Sequence, residues 1–128
     1  MIIGVGTDII EIARVRKLME EPSGPRFVER VLTPDERKLA EQRQARLHEY
    51  VAGRFAAKEA VAKALGCGIG RQVGFQDIGV LPDSNGQPQC RLSEASLTRL
   101  GLANIQIHLS ISHSETMATA FAVIERAE

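Results

Sequence analysis

Apolar and polar positions change period several times along the chain, and each change marks an element. Residues 2–10 are almost all apolar or small, with β-branched Ile2, Ile3, Val5, Thr7, Ile9 and Ile10, which predicts a buried strand. Glu11 to Glu21 has helical composition, and Pro22-Ser23-Gly24-Pro25 stops it. Phe27, Val28, Val31 and Leu32 recur at helical spacing and predict a short helix. Thr33-Pro34-Asp35-Glu36 then restarts a helix. Thr33 caps it, Pro34 suits its first position, and Glu36 completes a capping box. The pattern carries this helix to Arg46.

The longest helical signal runs from His48 to Leu65, with Gly53 its weak point and Gly66 a natural C-terminal cap. A glycine-rich loop follows, Gly66-Cys67-Gly68-Ile69-Gly70-Arg71-Gln72. Ile78 to Leu81 and Gln89 to Leu92 flank Asp83-Ser84-Asn85-Gly86, where Asn-Gly signals a hairpin. Ser93 to Leu100 is a short helix, capped by Ser93 and stopped by Gly101. Ile105, Ile107, Leu109 and Ile111 alternate with Gln106, His108, Ser110 and Ser112, a half-buried strand. His113 to Thr116 is a turn, and Met117 to Ile124 is a final strand apolar on both faces. The class is α+β, a single domain over residues 1–128 with an antiparallel sheet packed on the long helix.

Composition narrows the function. A chain of 128 residues, 44% hydrophobic and 25% charged, builds one modest core. Sixteen basic and sixteen acidic residues cancel, so no global field exists to hold nucleic acid; charge recognition is local. No apolar run approaches the roughly 20 residues of a membrane span. The start of the chain lacks a basic region and reaches Asp8, so it reads as a strand and not a secretory signal. Cys67 and Cys90 are too few for a disulfide scaffold and read as reduced thiols in the cytoplasm.

Several residues stand out chemically. Asp8 shares a strand face with Gly4 and Gly6, which leaves room beside a carboxylate. A buried carboxylate must be protonated, paired or bound to a cation, and Arg14 or a helix cap are its structural alternatives. Val51, Phe55, Ala62 and Leu65 form an apolar stripe, with Lys58 nearly inside it. Glu59 and Lys63 are four apart, the spacing of a surface ion pair. The glycine loop follows a helix instead of opening one, so it is no nucleotide fingerprint. Its reading is a helix exit, with backbone amides and Arg71 available to a phosphate. Ser110, Ser112 and His113 lack a nucleophile elbow, which argues against serine catalysis and leaves them as phosphate-binding groups. Arg14, Arg16, Lys17, Arg26 and Arg30 form a local basic cluster, either a solvated face or a dock for an acidic protein.

Four blocks together resemble the small bacterial holo-acyl-carrier-protein synthase family of phosphopantetheinyl transferases. They are Gly4-Val5-Gly6-Thr7-Asp8-Ile9-Ile10-Glu11-Ile12; Gly53-Arg54-Phe55-Ala56-Ala57-Lys58-Glu59-Ala60 with Lys63; Gly68-Ile69-Gly70 with Phe75-Gln76-Asp77-Ile78; and Ser110-Ile111-Ser112-His113-Ser114. The resemblance implies transfer of the phosphopantetheine arm of coenzyme A to a serine of apo acyl carrier protein. The by-product is adenosine 3',5'-bisphosphate. It implies Asp8 and Glu59 as magnesium ligands, Lys63 as a catalytic phosphate-holding lysine, and Arg54, Lys58, Gly68, Gly70, Ser112 and His113 around coenzyme A. It also implies Arg14 and Arg26 as carrier-docking positions, and a cytoplasmic homotrimer with active sites between subunits. The acidic, longer segment Glu20-Glu21-Pro22-Ser23-Gly24-Pro25 departs from the family pattern. A non-catalytic nucleotide- or protein-binding module would need neither metal acid, and a serine hydrolase would need Ser110 or Ser112.

Overall fold

The computed structural model describes residues 1–127. The elements are β1 (Ile2–Glu11), α1 (Ile12–Glu20), α2 (Gly24–Val31), α3 (Pro34–Ala40), α4 (Leu47–Ala64), β2 (Ile78–Pro82), β3 (Pro88–Leu92), α5 (Glu94–Leu100), β4 (Ile105–His113) and β5 (Met117–Arg126). Short 3₁₀ turns precede α4 and β2. An antiparallel sheet has the order β1-β5-β4, and β2-β3 is a separate hairpin. The α+β expectation holds.

On the central strand the sheet's inner face is made mainly of alanines. Ala118, Ala120, Ala122 and Ile124 of β5 are buried, and Ile10 of β1 joins them. Helix α4 lies across this face. A Cβ on Gly4 would fall 1.8 Å from the Ala64 carbonyl oxygen, and one on Gly6 would fall 2.0 Å from that of Ala60. The room beside Asp8 is therefore filled by helix backbone. Farther along, Gly53 faces the Ile111 side chain of β4.

Helix α4 is buried on nearly every side, not along one stripe. Its partners besides the sheet are α1, α2, α3 and β2, so an Ala-rich helix apolar all round suits this central place. Lys58 sits in that core with no exposure. Its ammonium donates to Glu36 Oε1 at 2.6 Å, to the Val31 carbonyl at 2.7 Å and to the Phe75 carbonyl at 3.1 Å. The other Glu36 oxygen accepts from the Val80 amide at 2.7 Å. One buried ion pair thus ties α2, α3, α4 and β2 together. Burial pulls the Lys58 ammonium below its ordinary range, against the opposing pull of Glu36.

Two boundaries differ from expectation. Gly24 and Pro25 open α2 instead of only ending α1. A Cβ on Gly24 would stand 1.9 Å from the Met19 carbonyl oxygen, so glycine permits the tight turn between the helices. Helix α3 ends at Ala40, short of Arg46. Residues 41–46 are all exposed, and helical propensity without a buried face does not sustain a helix. The Thr33–Glu36 capping box forms as read.

The outer sheet face is largely apolar and uncovered in the single chain: Ile2, Val5, Ile9 and Phe121 are each more than half exposed. Among the described residues no helix is long and apolar enough to cross a membrane.

Gly6→Ala tests the helix–sheet contact. Thermal unfolding of this variant is expected to shift down by roughly 10 °C or more, because backbone on both sides must move apart. An unchanged transition would mean that the contact is looser than described.

Candidate functional site

The close approach of β1 to α4 carries three charged groups to one place. Asp8 follows Gly4 and Gly6 on the inner face, and its side chain is 16% exposed. Lys63 reaches across from α4, donating to Asp8 Oδ1 at 3.1 Å and to the Thr7 carbonyl at 3.2 Å. Its charge partner is Asp8 and not Glu59, so the surface-pair reading of Glu59 and Lys63 does not describe the fold. Arg14 is exposed and does not pair with Asp8. Nor does Asp8 cap a helix, because α1 begins without a side-chain cap.

Glu59 lies one turn before Lys63. Burial pushes its carboxyl above the usual range, the Asp8 charge pushes it further, and Lys63 opposes both. A half-buried carboxyl whose ionisation is opposed by a neighbouring carboxylate suits a shared cation. No group of three or more His, Cys, Asp or Glu residues clusters among the described residues. An oxygen pair of this kind fits magnesium, which keeps waters and takes substrate phosphate oxygens.

A second charged group lies on the opposite flank of α4. A pocket of about 310 Å³ is lined by Arg43, Arg46, Glu49, Tyr50, Arg54 and His113, together with parts of the β2-β3 hairpin. Arg54 stacks on the Tyr50 ring, with Cζ 4.6 Å from the centroid. Its Nε is buried without an acceptor, the one such side-chain atom among the described residues. An unpaired buried donor costs about 1–3 kcal/mol, and three arginines lining one pocket suit an anion. His113 Nδ1 lies 3.6 Å from Glu49 Oε1.

Lys58 is a correction. All its donors are used inside the core, so none is left for coenzyme A. Ser112 is exposed on the outer sheet face, while His113 lines the pocket, because neighbours on a strand alternate. The glycine loop is a helix exit. The amides of Cys67 and Gly68 donate to the Ala62 carbonyl, and that of Gly70 to the Val73 carbonyl. Those three amides are thereby unavailable as a phosphate cradle. Gly68, at φ 68°, has open space where a side chain would stand, as does Gly70. Burial pushes the Cys90 thiol up to about 12, which makes it inert. Arg14 and Arg26 are exposed on α1 and α2, which pack against each other. Arg43 and Arg46 were missed from sequence, because they sit in a stretch read as ordinary helix.

A family model described as the 4'-phosphopantetheinyl transferase superfamily matches residues 4–122. The chain belongs to this superfamily. It is 48% identical over 127 residues to a holo-[acyl-carrier-protein] synthase of Geobacillus kaustophilus, covering 98% of this chain and 91% of that protein. Among solved structures it resembles a Bacillus anthracis holo-(acyl-carrier-protein) synthase in complex with CoA (3',5'-ADP). The TM-score there is 0.84 and the identity 44%, covering 99% of each chain. It also resembles the Neisseria meningitidis synthase, with a TM-score of 0.87 and 39% identity over 98% of this chain and 100% of that one. The fold is therefore that of the phosphopantetheinyl transferases, and the chain is an enzyme of that class.

In metal-free protein, Asp8→Asn is expected to lower the Glu59 titration midpoint, since it removes a like charge and frees Lys63. Carboxyl carbon shifts followed by NMR against pH measure this. A midpoint that stays or rises would separate the two acids.

Proposed function

We propose that the chain transfers the 4'-phosphopantetheine arm of coenzyme A to a serine hydroxyl of apo acyl carrier protein, releasing adenosine 3',5'-bisphosphate. The observation that carries this is the meeting of Asp8, Glu59 and Lys63 at one contact between β1 and α4. It stands in a chain matched to the superfamily over residues 4–122. Similar synthases solved with coenzyme A support the donor.

In this reading the serine oxygen bonds to the phosphorus of the pantetheine phosphate and its proton departs. The bond from that phosphorus to the oxygen bridging it to the adenosine portion breaks. Asp8 and Glu59 would hold magnesium, which when bound neutralises charge on the pyrophosphate. Lys63, half-exposed beside Asp8, presents further positive charge to phosphate oxygens. Arg54, with Arg43, Arg46 and His113, takes the 3'-phosphate of the nucleotide, and the Gly68–Gly70 loop borders the adenine. The exposed Arg14 and Arg26 meet the acidic carrier, where complementary charge speeds encounter.

The enzyme works as a homotrimer in the cytoplasm, with each site shared between subunits. Two observations favour sharing. Arg54 and Lys63 are nine residues apart on α4, which is about 180° around the helix. Asp8 and His113 stand on the outer two strands of the sheet, two strand spacings and two residues apart, on the order of 12 Å. One subunit therefore turns its acids and its arginine pocket away from each other. A second copy would bring one subunit's pocket beside another's acids. The exposed apolar outer face supplies a surface to bury in such an assembly.

Intact-mass spectrometry of apo carrier protein, incubated with the chain, coenzyme A and magnesium, tests the reaction. The carrier should gain one phosphopantetheine, and Glu59→Gln should slow that gain at least about a hundredfold by loss of charge stabilisation. No mass gain with wild-type chain would refute the reaction.

Phe121→Glu places a charge in the middle of the apolar outer face. It should sediment as a monomer and lose transfer. A fully active monomer would refute the shared site.

A further inference from the structure

We propose that Tyr50 is the positioning residue of the arginine pocket, holding two guanidiniums on one ring and so setting the preference for coenzyme A over its analogue lacking the 3'-phosphate. This rests on the reading that the pocket takes that phosphate. Tyr50 stands in the first turn of α4 and is 5% exposed. The Arg54 Cζ lies 4.6 Å from its ring centroid and the Arg43 Cζ lies 5.4 Å away. The two arginines come from different elements: Arg54 from the next turn of α4, Arg43 from the exposed segment after α3. Neither is paired with a carboxylate among the described residues. Glu49, the carboxylate lining the pocket, lies against His113 instead.

Two neighbouring guanidiniums repel, and an exposed one is free to swing into water. The negative ring face offsets part of the repulsion and restricts the swing. Guanidinium stacked on a ring keeps its in-plane N–H edge for another acceptor, and a phosphate matches that edge in shape and charge. The Tyr50 hydroxyl donates to the Glu36 carbonyl of α3 at 3.1 Å, which anchors the ring between α3 and α4. Ring and anchor can be separated: Phe keeps the first and removes the second, whereas Leu removes both.

The experiment measures kcat/KM for coenzyme A and for 3'-dephospho-coenzyme A in wild type, Tyr50→Phe, Tyr50→Leu and Arg54→Ala. The preference is the ratio of the two values within one preparation, so the folded fraction of a variant cancels. Tyr50→Leu should narrow the preference by about fivefold, the scale of losing a cation–π platform. Tyr50→Phe should hold it within about twofold, because the platform remains. Arg54→Ala should remove most of it. Preference lost in Arg54→Ala but kept in Tyr50→Leu would overturn the Tyr50 assignment alone. Preference kept in Arg54→Ala would overturn the reading of the pocket, and the Tyr50 assignment with it.

Discussion

Backbone meets backbone where β1 crosses α4, and the site depends on that contact. Gly4 and Gly6 let the strand lie against the Ala60 and Ala64 carbonyls with no side chain between. Asp8 is the next inward position on the same strand, so it arrives beside the helix at the height of Lys63. Any bulk at either glycine would lift the strand, and Asp8 and Thr7 would leave the reach of the Lys63 ammonium. The same closeness puts two carboxylates near enough for Asp8 to raise the Glu59 carboxyl. Tight packing and electrostatic cost are two results of one contact.

The Lys58–Glu36 pair holds the other side of α4. Charge buried this deeply is weak evidence for net stability, yet breaking it strands an ion in the core at about 3–5 kcal/mol. Its geometry joins four elements through donors and acceptors that are all used. Lys58 adjoins Glu59 in sequence, so the direction of Glu59 is set by a neighbour that faces away from it. This division follows from helical geometry: adjacent residues are about 100° apart, so one can lie in the core and the other at a site.

Most elements are legible in the sequence because their signals are local. The capping box at Thr33 and Glu36, the Asn85-Gly86 turn and the period-two alternation from Ile105 to Ser112 each need only a few neighbouring residues. Family resemblance singled out Asp8, Glu59 and Lys63, which chain spacing alone left as a surface pair and a lone acid. Arg43 and Arg46 escaped notice because a helix-forming composition continues through them, and no local signal marks where burial stops.

The sequence by itself determined the strand and helix types and the α+β class, because propensity, capping and turn formation are short-range. Only the tertiary structure decided what the charged and polar residues meet. It placed Lys58 in the core instead of at a phosphate, and paired Lys63 with Asp8 across more than fifty positions of chain. It set Ser112 and His113 on opposite faces of one strand, and turned the acids and the arginine pocket to opposite flanks of α4. The reason is that partners are chosen by which backbones can approach and which surfaces remain uncovered, and both are properties of the packed whole.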